Sequence, residues 1–134
     1  MIAGIGVDIV NIDRIEAALL RFGDRFSQRI LGTMELVEFS QHAQPARFLA
    51  KRFAAKEATA KALGSGFRAG LKLSDIQVTH DALGKPLLHL SGQAAVLADA
   101  HALCASHLSL SDETNQVVAF VVLETGWVVV QNDN

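Results

Sequence analysis

Glu57 and Lys61 stand one helical repeat apart in the segment Phe53-Ala54-Ala55-Lys56-Glu57-Ala58-Thr59-Ala60-Lys61-Ala62-Leu63-Gly64. That spacing sends both side chains to one face of a helix, and Leu49 and Phe53 put Glu57 at the margin of the apolar face. On an arbitrary helix such a pair is a surface ion pair worth about 0.3 to 0.5 kcal/mol. Here the helix is rich in alanine and spends few charges, yet Lys56, Glu57 and Lys61 cluster just before Gly64-Ser65-Gly66. A second acid, Asp8, lies near the end of the apolar, β-branched run from Ile2 to Val10. Gly6-Val7-Asp8 alone is a weak signal, because an aspartate at a strand end also bonds backbone donors in a turn. Two carboxylates from separate elements, however, suit Mg²⁺, which keeps several waters and takes its other ligands from phosphate oxygens. Lysine beside them would neutralise phosphate charge.

The elements that must hold these groups follow from hydrophobic periodicity. Ile2 to Val10 reads as a buried strand. Asp13 and Glu16 fit an acidic capping box, with Ile15, Ala18, Leu19 and Phe22 at helical spacing behind it. Along that helix Arg14, Arg21 and Arg25 fall within about 20 degrees of one another, with Arg29 somewhat off the line. Gly23 lies inside the span, where it is able to interrupt the helix. Thr33 caps a short helix to about Ser40, and residues 41–44 form a loop. Pro45 opens the longest helix, Ala46 to Leu63, which Gly64 stops. Ile76 and Val78, then Leu88 and Leu90, mark two short strands joined by a turn from Asp81 to Pro86. Gln93 to Leu103 is helical in pattern. Leu108 and Leu110 alternate with serines, and Val117 to Glu124 completes a hairpin across the turn Asp112 to Gln116. Helices and strands are mixed rather than alternating, so the fold class is α+β, with an antiparallel sheet around the long central helix. One domain over residues 1–124 and a tail over 125–134, containing Trp127 to Val130, account for the chain.

Composition narrows the function classes. The 134 residues are half hydrophobic, with a formal charge of −2 and one cysteine. That balance excludes a disordered or disulfide-stapled chain and argues against duplex nucleic acid as a partner. The longest apolar run, Val117 to Leu123, falls far short of the roughly 20 residues of a membrane-spanning helix, and the N-terminus lacks a secretory n-region. A reducing cytoplasm is the expected location. Cys104 reads as a small core residue, and His42, His80, His89 and His101, which lack metal-ligand spacing, as surface or structural histidines.

The ordered set Gly6-Val7-Asp8, Arg14-Ile15-Glu16, Arg47 to Ala58 and Lys61-Ala62-Leu63-Gly64, with Gly84-Lys85-Pro86 and His107-Leu108-Ser109-Leu110-Ser111, closely resembles the holo-acyl-carrier-protein synthases. These are the small bacterial class of 4′-phosphopantetheinyl transferases, and the resemblance runs over about residues 1 to 124. It implies transfer of the phosphopantetheine arm of coenzyme A to a serine of apo-acyl carrier protein, with Mg²⁺ as cofactor and release of adenosine 3′,5′-bisphosphate. It further implies a homotrimer with sites between subunits. By motif position Asp8 and Glu57 would hold the metal and Lys61 would touch the phosphates, the three forming the catalytic set. Arg52, Gly64, Ser65, Gly66, Gly84, Lys85, Pro86 and His107 would surround the nucleotide of coenzyme A. Arg14, Arg21, Arg25 and Arg29 would dock the acidic carrier. The serine proton would pass to Glu57 or to a water on the metal. Family members often carry a second histidine where this chain has Asp112, so no histidine role transfers to that position. Two other readings compete with transfer. One is a noncatalytic module that binds an acidic partner through the basic helix, and the other is a metal-dependent nucleotide phosphohydrolase.

Overall fold

A computed structural model describes residues 1–64 and 70–126. The chain runs β1 (Ile2–Asn11), α1 (Ile12–Phe22), α2 (Asp24–Ile30), α3 (Thr33–Gln41), α4 (Pro45–Leu63), a 3-10 turn (Leu73–Asp75), β2 (Ile76–His80), β3 (Pro86–Leu90), α5 (Gly92–Ala100), β4 (Leu103–Asp112) and β5 (Gln116–Thr125). The class is α+β, as expected. Among the described residues the strands form an antiparallel three-stranded sheet, β1-β5-β4, and a separate antiparallel pair, β2-β3. Thr125, assigned to the tail by sequence, belongs to β5.

The core lies between α4 and the three-stranded sheet. Val117, Ala119, Val121 and Leu123 alternate along β5, and all four are buried against a helix that is itself sunk along most of its length. Period-2 alternation places every second strand residue on one face. The other face, with Ile5, Val7 and Ile9 of β1 and Phe120 of β5, is exposed. Ile30, Leu31, Ile76 and Val78 complete the core on the far side of α4.

Several local expectations change. Helix α1 is capped by Asn11, whose Oδ1 accepts from the backbone N–H groups of Asp13 at 2.9 Å and Arg14 at 3.4 Å. The strand delivers Asn11 in extended geometry, so the cap forms there, and Asp13 lies inside the helix. Gly23, at φ 58°, divides the basic helix in two. Arg14 and Arg21 therefore ride on α1, and Arg25 and Arg29 on α2. Gly32 occupies the cap position of α3, with Thr33 as the first helical residue. Helix α5 ends at Ala100, and Ala102 at φ 52° turns the chain into β4. Cys104 consequently sits exposed on a strand, not in the core.

Candidate active site

Strand β1 and helix α4 approach unusually closely, and two glycines allow it. A Cβ on Gly4 would be driven onto the carbonyl oxygen of Ala62, and one on Gly6 onto that of Ala58. With no side chain at either position, the backbones pack nearly in contact. Asp8, two residues further on the same face, is thereby delivered to the α4 surface that carries Glu57 and Lys61. Lys61 Nζ lies 3.1 Å from Asp8 Oδ1 and donates to the Val7 carbonyl at 3.0 Å. Burial, and next the charge of Asp8, push the Glu57 carboxyl above its ordinary pKa, with Lys61 acting in the opposite sense. The side chains of Lys61 and Asp8 are 54% and 17% exposed, so the cluster opens to solvent.

Its donor set suits a hard divalent cation. Two carboxylates repel each other across a gap between elements, with an ammonium already drawn to one of them. Among the described residues no group of three or more His, Cys, Asp or Glu side chains could hold a metal. Two carboxylates without an all-protein cage are what Mg²⁺ uses when waters and a ligand's phosphates complete its shell.

A cavity of about 440 Å³ lies at the other side of α4, lined by side chains from α3, α4, the β2-β3 hairpin and β4. Three of the expected nucleotide residues, Arg52, Gly84 and Pro86, share it. Lys85 is the exposed residue between the latter two, in a turn where the Asp81 carboxylate accepts the N–H groups of Leu83 and Lys85, both at 2.9 Å. The Arg52 guanidinium stacks on the Phe48 ring at 4.5 Å and donates to the Val78 carbonyl and to Glu38 Oε2, the latter at 2.8 Å. Burial draws its pKa down, against the pull of Glu35 and Glu38. His42 and His80, which sequence assigned no role, line the same cavity. Burial and then the Arg52 charge lower the His80 pKa. At the rim, Asp112 takes Arg47 at 2.6 Å and Lys51 at 3.3 Å. Burial opposes ionisation of Asp112, but hydrogen bonds from both cations hold its carboxyl below the usual range.

Lys56 does not join the phosphate-facing set. It is fully buried, 2.6 Å from Glu35 Oε1, and donates to the carbonyls of Leu73 and Ile76. Glu35 also accepts from the N–H groups of Gly32 and Val78, at 3.0 and 3.1 Å. This knot, which sequence reading missed, fastens α3 and β2 to α4. One residue from Glu57 is 100° of helix rotation, a phase difference that already turned Lys56 away.

Gly64 closes α4 in the left-handed conformation at φ 81°. Ser65 and Gly66 lie outside the described residues, as do Trp127 to Val130. His107 is on the outer face of the sheet, 3.0 Å from Glu124, and is not among the residues that line the Arg52 cavity. Arg14, Arg21, Arg25 and Arg29 are all exposed. Arg25 and Arg29 edge a shallow groove of about 630 Å³ with Phe22, Phe26 and Gln28, and Arg21 lies over the Phe22 ring at 5.1 Å.

Residues 4–121 match the family model described as the 4′-phosphopantetheinyl transferase superfamily. The chain belongs to that superfamily. It is therefore an enzyme, a phosphopantetheinyl transferase. A holo-[acyl-carrier-protein] synthase of Halorhodospira halophila is 54% identical over 126 residues, covering 94% of this chain and all of the relative. The crystal structure of the corresponding synthase from Neisseria meningitidis superposes with a TM-score of 0.89 at 46% identity, over 93% of this chain and 100% of that one. A third, from Bacillus anthracis, was solved in complex with coenzyme A (3′,5′-ADP) and is similar at a TM-score of 0.78 and 38% identity, over 94% and 99% of the two chains.

Proposed function

We propose that this protein transfers the 4′-phosphopantetheine arm of coenzyme A to a serine of apo-acyl carrier protein, in an Mg²⁺-dependent reaction that releases adenosine 3′,5′-bisphosphate. The observation that carries the reading is the meeting of Asp8 and Glu57, far apart in sequence, beside Lys61 in a chain of this superfamily. Asp8 and Glu57 would hold Mg²⁺, which when bound supplies positive charge to the diphosphate oxygens. The serine oxygen, giving its proton to Glu57 or to a water, forms a bond to the pantetheine-side phosphorus, the bond from that phosphorus to the bridging oxygen breaks, and the bisphosphate departs with the bond's electrons. Lys61, which donates to the Val7 carbonyl, would bind diphosphate oxygens, and Arg52, in the cavity across α4, would anchor the nucleotide end. Transfer of this kind relies mainly on positioning and charge neutralisation.

The carrier would dock on α1 and α2, which carry Arg14, Arg21, Arg25 and Arg29, the last two beside the apolar groove at Phe22 and Phe26. Assembly as a homotrimer would cover the apolar outer face of the sheet, and His107 on that face would then serve a neighbour's nucleotide site. Among the described residues no helix is long and apolar enough to cross a membrane.

The test is mass spectrometry of apo-carrier incubated with the protein, coenzyme A and Mg²⁺. The carrier should gain the mass of the phosphopantetheine arm, and Asp8→Ala should remove the gain. Carrier of unchanged mass, across several carriers, refutes the proposal.

A further inference from the structure

In the cavity beside α4 every cation already has a carboxylate partner. Arg47 and Lys51 share Asp112, and Arg52 has Glu38. The two acids are held differently. Asp112 is tied to two cations, whereas among the described residues Glu38 makes its ion pair to Arg52 alone, and its side chain is 52% exposed. Arg52 is 4% exposed, and its position does not depend on Glu38: the Phe48 ring, the Val78 carbonyl and Glu35 Oε2 at 3.8 Å hold the guanidinium from other sides. One end of the pair is therefore locked, and the other can swing into water.

We infer that Glu38 is a displaceable internal counter-ion, occupying the Arg52 guanidinium in the ligand-free protein and giving way to a phosphate group of the nucleotide. The inference rests on the reading above, in which this cavity takes the nucleotide end of coenzyme A. A carboxylate on Arg52 uses the same planar donors that a phosphate would take. An entering phosphate must break a hydrogen bond at 2.8 Å and move the carboxylate aside. The competition weakens nucleotide binding, and the returning carboxylate favours departure of adenosine 3′,5′-bisphosphate. Glu38 is thus a positioning and affinity-setting residue that acts through Arg52.

The test compares Glu38→Gln with Glu38→Asp in the full-length protein, using adenosine 3′,5′-bisphosphate as the probe in titration calorimetry. Glu38→Gln should bind it about two- to fivefold more tightly, the range of a half-exposed ion pair, with the KM for coenzyme A falling in step. Glu38→Asp, which keeps the charge, should stay near the native affinity. Native protein that binds the probe while Glu38→Gln binds it equally or more weakly overturns the counter-ion role and leaves the nucleotide site standing. Equal tightening in both variants overturns it too, since charge would not be the cause. Failure of the native protein to bind overturns the assignment of the cavity, and this inference with it.

Discussion

At Glu57 the carboxyl holds its proton more tightly in the folded protein than in an unfolded chain, because burial and then Asp8 raise its pKa. Ionisation therefore costs stability. The cost is absent below the unfolded carboxylate pKa of about 4.3, grows as pH rises through the raised folded value, and is complete above it. In metal-free protein Glu57→Gln should raise Tm at pH 7, with the gain vanishing near pH 4, as calorimetric scans would show; an equal or lower Tm at pH 7 contradicts the assignment. The same substitution should slow transfer by about 10²-fold or more. At Lys56 burial likewise opposes the charged form, against the pull of Glu35. Lys56→Ala removes the partner of the fully buried Glu35 and should cost about 3 to 5 kcal/mol in a urea titration without altering the site's charge. The sequence displayed both lysines and their helical phase. It did not display what Lys56 would meet, because Glu35 lies 21 residues away and reaches it only through the packing of α3.

Among the elements, β1 and α4 were the most legible. A β-branched run and a Pro-to-Gly helix carry strong local signals, and the structure keeps both nearly to the residue. The capping of α1 was misread because Asn11, Asp13 and Glu16 all offer capping chemistry, and the direction in which the strand hands over the chain decides between them. The start of β4 was misread because the Gln93-to-Leu103 pattern continues through Ala102, whose positive φ no composition rule announces. Sequence also gave no sign of why the two glycines precede Asp8, since their reason is the helix they touch. Gly6→Ala should lever β1 from α4, cost about 1 to 3 kcal/mol or more, and lower transfer while leaving Asp8 and Glu57 in place as residues. Unchanged melting and activity in Gly6→Ala would show that the close approach is not needed.

For the molecule as a whole, the outer sheet face carries Ile5, Val7, Ile9 and Phe120 in the open, an arrangement that water penalises unless something covers it. If copies of the chain cover it, Phe120→Glu should give a lighter species in sedimentation and reduced transfer. A native protein that sediments as a monomer removes the trimer from the proposal. The arginines of α1 and α2 act at the same scale. Arg21→Ala with Arg25→Ala should raise the KM for the carrier by about tenfold at low salt and by much less near 0.5 M, where charges are screened.

Strand β1 writes two different messages on its two sides. Residues 4, 6 and 8 address the helix, and residues 5, 7 and 9 address whatever lies outside. The deletion of one residue between Gly6 and Asp8 would put the strand on the two sides of the cut out of step, turning either the glycines or Asp8 away from the helix. Contact with the helix and the outer face share one reading frame, so this stretch should accept replacements at single positions far more readily than any change in its length.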